Sequence, residues 1–394
     1  MPLRTLCVLL LAWGCGDPEM PDAGAPEDGG FDAGAPIPTC EPTRDAGEPS
    51  GGITNGCAQA VLGSGFALTM PEARPVTSIG AYLRTEAPEV CRPGTLLGGA
   101  SLVTRLDRRV GEGATARATY SVIGAGGPDP SVDAGAGWSG ARVYRGSASI
   151  DLDATMAQEA TAPVLVDLAT VGLDGAPEVA AVLEGVELET DVPQAPGYPM
   201  EHEPREGYAV RGVGASVAID RRDGAELRLA VRARLALGPG GEPDMDRAAR
   251  VARTQVVVHF AVVGLPAGAT VETVTSSGPC PPAAGEVPVA IDGPPGARAA
   301  PAFTSFDLTV DGDAGTLLRG WSLLVDSFAH DAATGQATFE VIGHLEAPGG
   351  AELPQSLDAE VALLTWDGPE DAAALRYGDA VGAGVVSTRL PIEP

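Results

Sequence analysis

Beyond residue 57 the apolar residues of this chain fall at every second position, and a period of two is the period of a β-strand. In the segment from Ala225 to Leu237, Leu227, Leu229, Val231, Ala233 and Leu235 share one face, and Glu226, Arg228, Arg232 and Arg234 the other. The same alternation sets Ala116, Ala118, Tyr120 and Val122 against Arg117, Thr119 and Ser121. It sets Ala148, Ile150 and Leu152 against Ser149, Asp151 and Asp153, and recurs at Phe306, Leu308 and Val310 and at Ala337, Phe339, Val341 and Leu345. One wet face per strand predicts antiparallel sheets covered on one side only.

Turn chemistry separates the strands. Arg221-Arg222-Asp223-Gly224 predicts a tight hairpin and Asp331 to Gly335 a longer one. Helix is expected to be scarce: one or two turns from Gly368-Pro369 to Tyr377 and Gly378, with Pro at the start and Gly at the end, and another short helix from Asp244 to Arg253. Four segments open alike, at Gly99-Ala-Ser101, Arg145-Gly-Ser147, Arg211-Gly212 and Arg319-Gly-Trp-Ser322. Their unequal spacing excludes a solenoid array and leaves either a duplicated hairpin or the ordinary grammar of sandwich strands. Pro-rich breaks fall at Val192 to Glu206 and at Pro279 to Pro301. The expected fold is all-β: two antiparallel β-sandwich domains, immunoglobulin-like or jelly-roll-like, at 57–192 and 205–394, joined by a linker at 193–204.

Charge narrows the partners. The formal net charge is −28, and every cation is Arg, since the chain has no Lys. Such an excess of acid repels phosphate backbones and anionic headgroups, so no nucleic-acid partner is expected. It fits a soluble, self-repelling surface.

The N-terminus carries an address. Arg4 supplies a positive n-region, and Leu6 to Leu11 with Ala12 and Trp13 form an apolar stretch too short to span a bilayer. Leu10-Leu11-Ala12-Trp13-Gly14-Cys15 resembles a bacterial lipobox, with Ala12 where that class usually carries Leu. The resemblance implies a signal peptide at 1–14, cleavage before Cys15 and a diacylglyceryl group on the Cys15 thiol. Residues 15–56 then read as a lipidated Cys followed by a disordered acidic tether. Asp22-Ala-Gly-Ala-Pro26 recurs as Asp32-Ala-Gly-Ala-Pro36, and Asp45-Ala-Gly47 echoes it. Short of β-branched and aromatic residues, this stretch buries too little surface to offset the entropy of ordering.

Six cysteines are present. Cys7 leaves with the signal and Cys15 is the acylation site, so Cys40, Cys57, Cys91 and Cys280 remain. In an oxidising compartment an even number reads as two disulfides with three connectivities, of which Cys40–Cys57 with Cys91–Cys280 is the favoured one. No C-x-x-C spacing marks a zinc site.

Catalytic signatures are missing from the sequence. His202-Glu203-Pro204 stops at a proline, no G-x-S-x-G elbow occurs, and no P-loop exists without a Lys. Asp311-Gly-Asp313-Ala-Gly315 could open a calcium loop but lacks its distal Glu, and turn chemistry explains the same residues. Trp138 could serve as a platform for sugar. No cofactor and no metal is implied. The expected function is that of an exported cell-envelope lipoprotein, at the outer membrane or cell surface. It is held to the membrane by a lipid anchor and has a non-catalytic structural or binding role. One alternative is an adhesion module for glycan or protein. The other is a secreted hydrolase, which requires His259 or His344 within hydrogen-bond reach of a partner such as an acid.

Overall fold

The computed structural model describes residues 60–74, 78–85, 100–106, 114–123, 141–152, 158–191, 208–239, 253–280, 286–295, 298–310, 318–346, 355–366, 376–382 and 385–389. The signal, Cys15, the tether, Cys40, Cys57, Cys91, Trp138, His202, the 193–204 linker and the Asp311–Gly315 loop lie outside them.

The alternating segments form strands, as expected, and no helix occurs among the described residues. The chain runs β1 (Ala60–Arg74), β2 (Ser78–Thr85), β3 (Ala100–Leu106), β4 (Ala114–Ile123), β5 (Arg142–Leu152) and β6 (Gln158–Asp167). It continues with β7 (Glu178–Asp191), β8 (Tyr208–Asp223), β9 (Glu226–Pro239), β10 (Arg253–Leu265), β11 (Thr270–Cys280) and β12 (Glu286–Asp292). The last six are β13 (Arg298–Val310), β14 (Leu318–Asp331), β15 (Gln336–Glu346), β16 (Gln355–Trp366), β17 (Arg376–Gly382) and β18 (Val385–Arg389). The two hairpins stand where turn chemistry put them, with Gly224 at φ 59° and Gly335 at φ 79°. The short helix expected to end at Tyr377 is corrected at that end, because Arg376 to Gly382 pairs with β4. Likewise Arg253, the expected end of a helix, opens β10. In both places ladder pairing overrides local propensity.

All pairings among the described residues are antiparallel and build three six-stranded sheets that share buried apolar clusters, a sandwich-like arrangement. The first runs β12-β15-β14-β1-β4-β17, the second β18-β3-β2-β7-β10-β5 and the third β6-β9-β8-β13-β16-β11. Advancing every strand of the first by six, with β18 followed by β1, yields the second, and a further six yields the third. The fold is therefore a threefold internal repeat of six strands, opening at β1, β7 and β13. Of the four similar segments in the sequence, Arg211-Gly212 and Arg319-Gly320 occupy equivalent sites, since Gly212 faces Thr309 and Gly320 faces Thr69.

The expected boundary at 193–204 does not separate two sets of sheets. Strands on either side of it pair with each other in all three, as β1 with β14, β5 with β10 and β6 with β9. Each repeat places strands in every sheet, so none completes a sheet alone.

Two buried apolar clusters hold the sheets together, and each draws on all three. The larger includes Leu68 and Trp321 of the first sheet, Leu188 and Phe260 of the second, and Leu229 and Phe306 of the third. Trp321 meets Phe66 edge-on at 4.9 Å. The smaller contains Leu62, Val182 and Ala302, which are equivalent, with Ile123, Val263 and Leu364, which face the residues two before them. This explains a departure from the expectation of one wet face. Residues 180–183 of β7, 260–265 of β10 and 361–366 of β16 are buried on both faces, because one face enters each cluster.

The device that divides a strand between two clusters is a β-bulge, repeated three times. The register slips between Gly63 and Gly65 in β1, between Leu183 and Gly185 in β7, and between Phe303 and Ser305 in β13. The extra residues are Ser64, Glu184 and Thr304, spaced 120 apart. Residues four apart on a regular strand point the same way. Here Leu62 and Phe66, Val182 and Val186, and Ala302 and Phe306 lie in different clusters, because the bulge turns the strand between them.

Candidate functional site

All three bulge residues are polar and buried, and each needs a partner. Ser64 Oγ donates to the Pro301 carbonyl (2.9 Å), joining β1 to β13. Thr304 Oγ1 donates to Glu360 Oε1 (2.6 Å) on the neighbouring β16. Glu184 is the exception in size and charge. Its carboxylate accepts the Gly63 N–H (3.2 Å) and faces Arg145 Nε at 3.4 Å. Gly63 leaves room for it: a Cβ there would stand 3.0 Å from Glu184 Oε2. Burial pushes the Glu184 carboxyl above the usual carboxylate range, against the opposing pull of Arg145 and the Gly63 amide.

Beside it, on the same sheet, lies a second acid. His259 Nε2–H donates to Glu187 Oε1 at 2.6 Å, and their side chains keep only 16% and 9% of their exposure. Tyr82 stacks flat on the His259 ring, 3.8 Å between centroids and 4° between planes. The stack is a consequence of Gly185, which stands between Tyr82 and His259 in the β2-β7-β10 register with φ +153°. Its missing side chain lets Tyr82 reach across β7; a Cβ there would overlap Tyr82 Cα and Cβ. Ser147 lies opposite His259 on β5, exposed, with Arg145 two residues away. The second sheet thus gathers Tyr82, Arg145, Glu184, Glu187 and His259 in one polar cluster at the β7 bulge. A narrow cavity with room for about one water molecule adjoins it, lined by Gly65, Phe66, Leu183, Glu184, Phe303 and Phe306.

The other two sheets do not repeat this set. The site of His259 is held by Thr119 and Glu360, and that of Tyr82 by Leu324 and Ser216. The site of Glu187 is held by Ala67 and Asp307. Asp307 has its own arrangement on the third sheet: Arg234 of β9 crosses β8 to pair with it and also donates to Thr309 Oγ1 (3.0 Å). Gly214, between them, would put a Cβ 3.1 Å from Asp307 Oδ2, so the middle strand is bare where the ion pair passes over it. Burial raises the Asp307 carboxyl above its ordinary value despite Arg234 and Thr309.

The residues singled out from the sequence are dispersed. His344 Nδ1 accepts from Gln355 Nε2–H (2.7 Å), while Gln355 Oε1 accepts the Leu345 N–H (2.9 Å), so this histidine ties β15 to the start of β16. Burial lowers its pKa, with Glu346 opposing. His330 stands next to the last residue of β14 and is likewise lowered by burial. Of the histidines considered for hydrolysis, His259 alone meets an acid. Cys280 ends β11 opposite Gln355, while Cys91, its expected partner, lies outside the described residues. Among the described residues no cluster of His, Cys, Asp and Glu has the arrangement of a metal site. The Glu184–Arg145 and Glu187–His259 pairs escaped sequence reasoning because their partners are 39 and 72 residues apart in the chain. The available signal was Glu184 itself, an acid inside a run of apolar residues.

The chain matches no protein-family model, no curated protein and no solved structure.

Proposed function

We propose that this chain is an exported cell-envelope lipoprotein, tethered through an acylated Cys15, whose triplicated β-module serves a non-catalytic structural or binding role. The observation that carries this reading is Leu10-Leu11-Ala12-Trp13-Gly14-Cys15 followed by the acidic Asp-Ala-Gly-Pro stretch. Acyl chains would hold such a protein at a membrane without a spanning segment. No helix among the described residues is long and apolar enough to cross one. Metabolic labelling with a fatty acid, followed by fractionation of envelope and cytosol, tests the proposal. The wild type is expected to take up label and partition with membranes, and Cys15→Ser to lose both. Equal labelling of the two proteins would remove the anchor.

The stacked Tyr82–His259 pair favours binding over a purely structural role. Aromatic faces beside Glu187 and Arg145 supply the apolar platform and polar edge by which sugars and polar peptide groups are held. Hydrolysis is less well supported, although His259 has its acid and Ser147 lies opposite. The amides of β10 are taken up by its ladders to β5 and β7, so none of them is offered to an oxyanion beside His259. Retention of the full-length protein on immobilised polysaccharide, compared with Tyr82→Ala and Trp138→Ala, separates these roles. Undiminished retention of Tyr82→Ala would move the binding face away from the second sheet.

A further inference from the structure

The repeats are joined by strand donation. The last two strands of each repeat leave it and edge the sheets of the next: β5 joins β10 and β6 joins β9, then β11 joins β16 and β12 joins β15. The third repeat meets the first through β14 on β1 and, at the sheet edges, through β17 on β4 and β18 on β3. The three seams are equivalent in topology but not in extent. β17 and β18 are 7 and 5 residues long, against 11 and 10 for β5 and β6 and 11 and 7 for β11 and β12.

The other two seams are also pinned beyond their sixth strand. After β6, Leu168 N–H donates to the Ala225 carbonyl (2.7 Å) and Arg222 donates to the Ala176 carbonyl (2.7 Å). After β12, Gly293 N–H donates to the Gly335 carbonyl (2.8 Å), and Gln336 reaches Asp292. Among the described residues the paired length is shortest at the seam where β17 and β18 meet β4 and β3. Opening there bares two strand edges, and an unpaired edge is a template for another strand.

We propose that β17–β18 is an exchangeable strand pair, and that a second copy of this chain is its partner. Two opened chains that trade β17–β18 recover every pairing each had alone, which is why exchange of an identical element is a low-cost route to a dimer. The nine residues 367–375 between β16 and β17 can span about 30 Å when extended, enough to carry the pair to a neighbour. The acyl anchor is not involved, and the proposal stands or falls without it.

Two measurements on the full-length chain decide it. In hydrogen–deuterium exchange of dilute protein, the amides of β17 and β18 are expected to exchange at least tenfold faster than those of β5 and β6. Equal protection would overturn the weak seam. For the exchange itself, Ala116 and Ala380 face each other across β4 and β17. A chain carrying Ala116→Cys and another carrying Ala380→Cys are mixed at high concentration, warmed below the unfolding transition and oxidised. A linked 116–380 peptide joining the two chains is expected. The double variant Ala116→Cys/Ala380→Cys, kept dilute, must close the same bond within one chain. If it closes there while the mixture gives no interchain link, exchange does not occur. If it fails to close, the β4–β17 seam is not as drawn, and the proposal fails with it.

Discussion

Threefold repetition supplies its own control for the bulges. Gly65 and Gly185 are equivalent, and each sits just after a bulge with φ of +136° and +153°. The third equivalent is Ser305, which has no positive φ. At Gly65 a Cβ would lie 2.7 Å from Leu324 Cα and nearer still to the Leu323 carbonyl, so the obstacle is backbone in the centre of the first sheet. At Gly185 it would overlap the Ala81 carbonyl and Tyr82. Placing alanine in this region of φ costs about 1–3 kcal/mol. Forcing an extra carbon into a filled space costs about 1–3 kcal/mol more. Gly65→Ala and Gly185→Ala should each destabilise by about 2–6 kcal/mol, a large share of the roughly 5–15 kcal/mol a fold commonly has. Ser305→Ala, with neither obstacle, should stay within about 1 kcal/mol. Denaturant titration followed by circular dichroism measures all three, with the m-value watched for any change in the surface exposed. If Gly185→Ala unfolds at the wild-type midpoint, or Ser305→Ala is as damaging as Gly65→Ala, the account of the bulges is wrong.

Three further outcomes follow from the same geometry. Glu184 titrates above its unfolded value, so its contribution favours folding below the ordinary carboxylate range near 4.5 and is lost as pH rises through the raised folded value. The stability of Glu184→Gln relative to wild type should therefore climb from acid to neutral pH, whatever constant offset Arg145 imposes, and a flat difference would refute the assignment. Because every sheet needs strands from both sides of residues 193–204, separately produced 57–192 and 205–394 should lack a cooperative melting transition that the whole chain shows; either fragment melting sharply would restore two independent domains. Arg234→Ala leaves the half-buried Asp307 with only Thr309 and the longer Arg232 contact (3.7 Å) and should cost about 1–3 kcal/mol, whereas Arg221→Ala, whose pair with Asp223 is mostly in water, should stay within about 0.5 kcal/mol in the same denaturation series.

Strand identity was readable from the sequence because burial on one face leaves a period of two, as in Leu227 to Leu235, all fully buried. The hairpins were readable because Gly224 and Gly335 need positive φ. Strand partners were not, since alternation says which face is wet but not which edge is shared. The Pro-rich stretch at 192–206 looked like a boundary, yet strands on its two sides share every sheet. The repeat was obscured because equivalent positions keep size and polarity more than identity. Leu68, Leu188 and Leu308 match at intervals of 120, but Gly63, Leu183 and Phe303 differ with what each must accommodate. The polar cluster was hidden for the same reason as the partners: Tyr82, Glu187 and His259 meet only through pairing of β2, β7 and β10.

A fold that solves one local problem three times also shows which residues the problem does not require. Each bulge presents a polar side chain to an interior that must satisfy it, and Ser64 and Thr304 do so with a short hydroxyl and one acceptor. Glu184 answers with a carboxyl whose desolvation is costly and is offset in part by Arg145 and the Gly63 amide. The same sheet holds Glu187 against His259 where its counterparts are Ala67 and Asp307, and Thr119 and Glu360. Folding alone does not account for a buried carboxyl at the bulge, because the bulges of the other two sheets form with a hydroxyl in its place. The chemistry in excess of what the fold demands lies on the second sheet, around β7, and that is where a binding role for this chain has residues to work with.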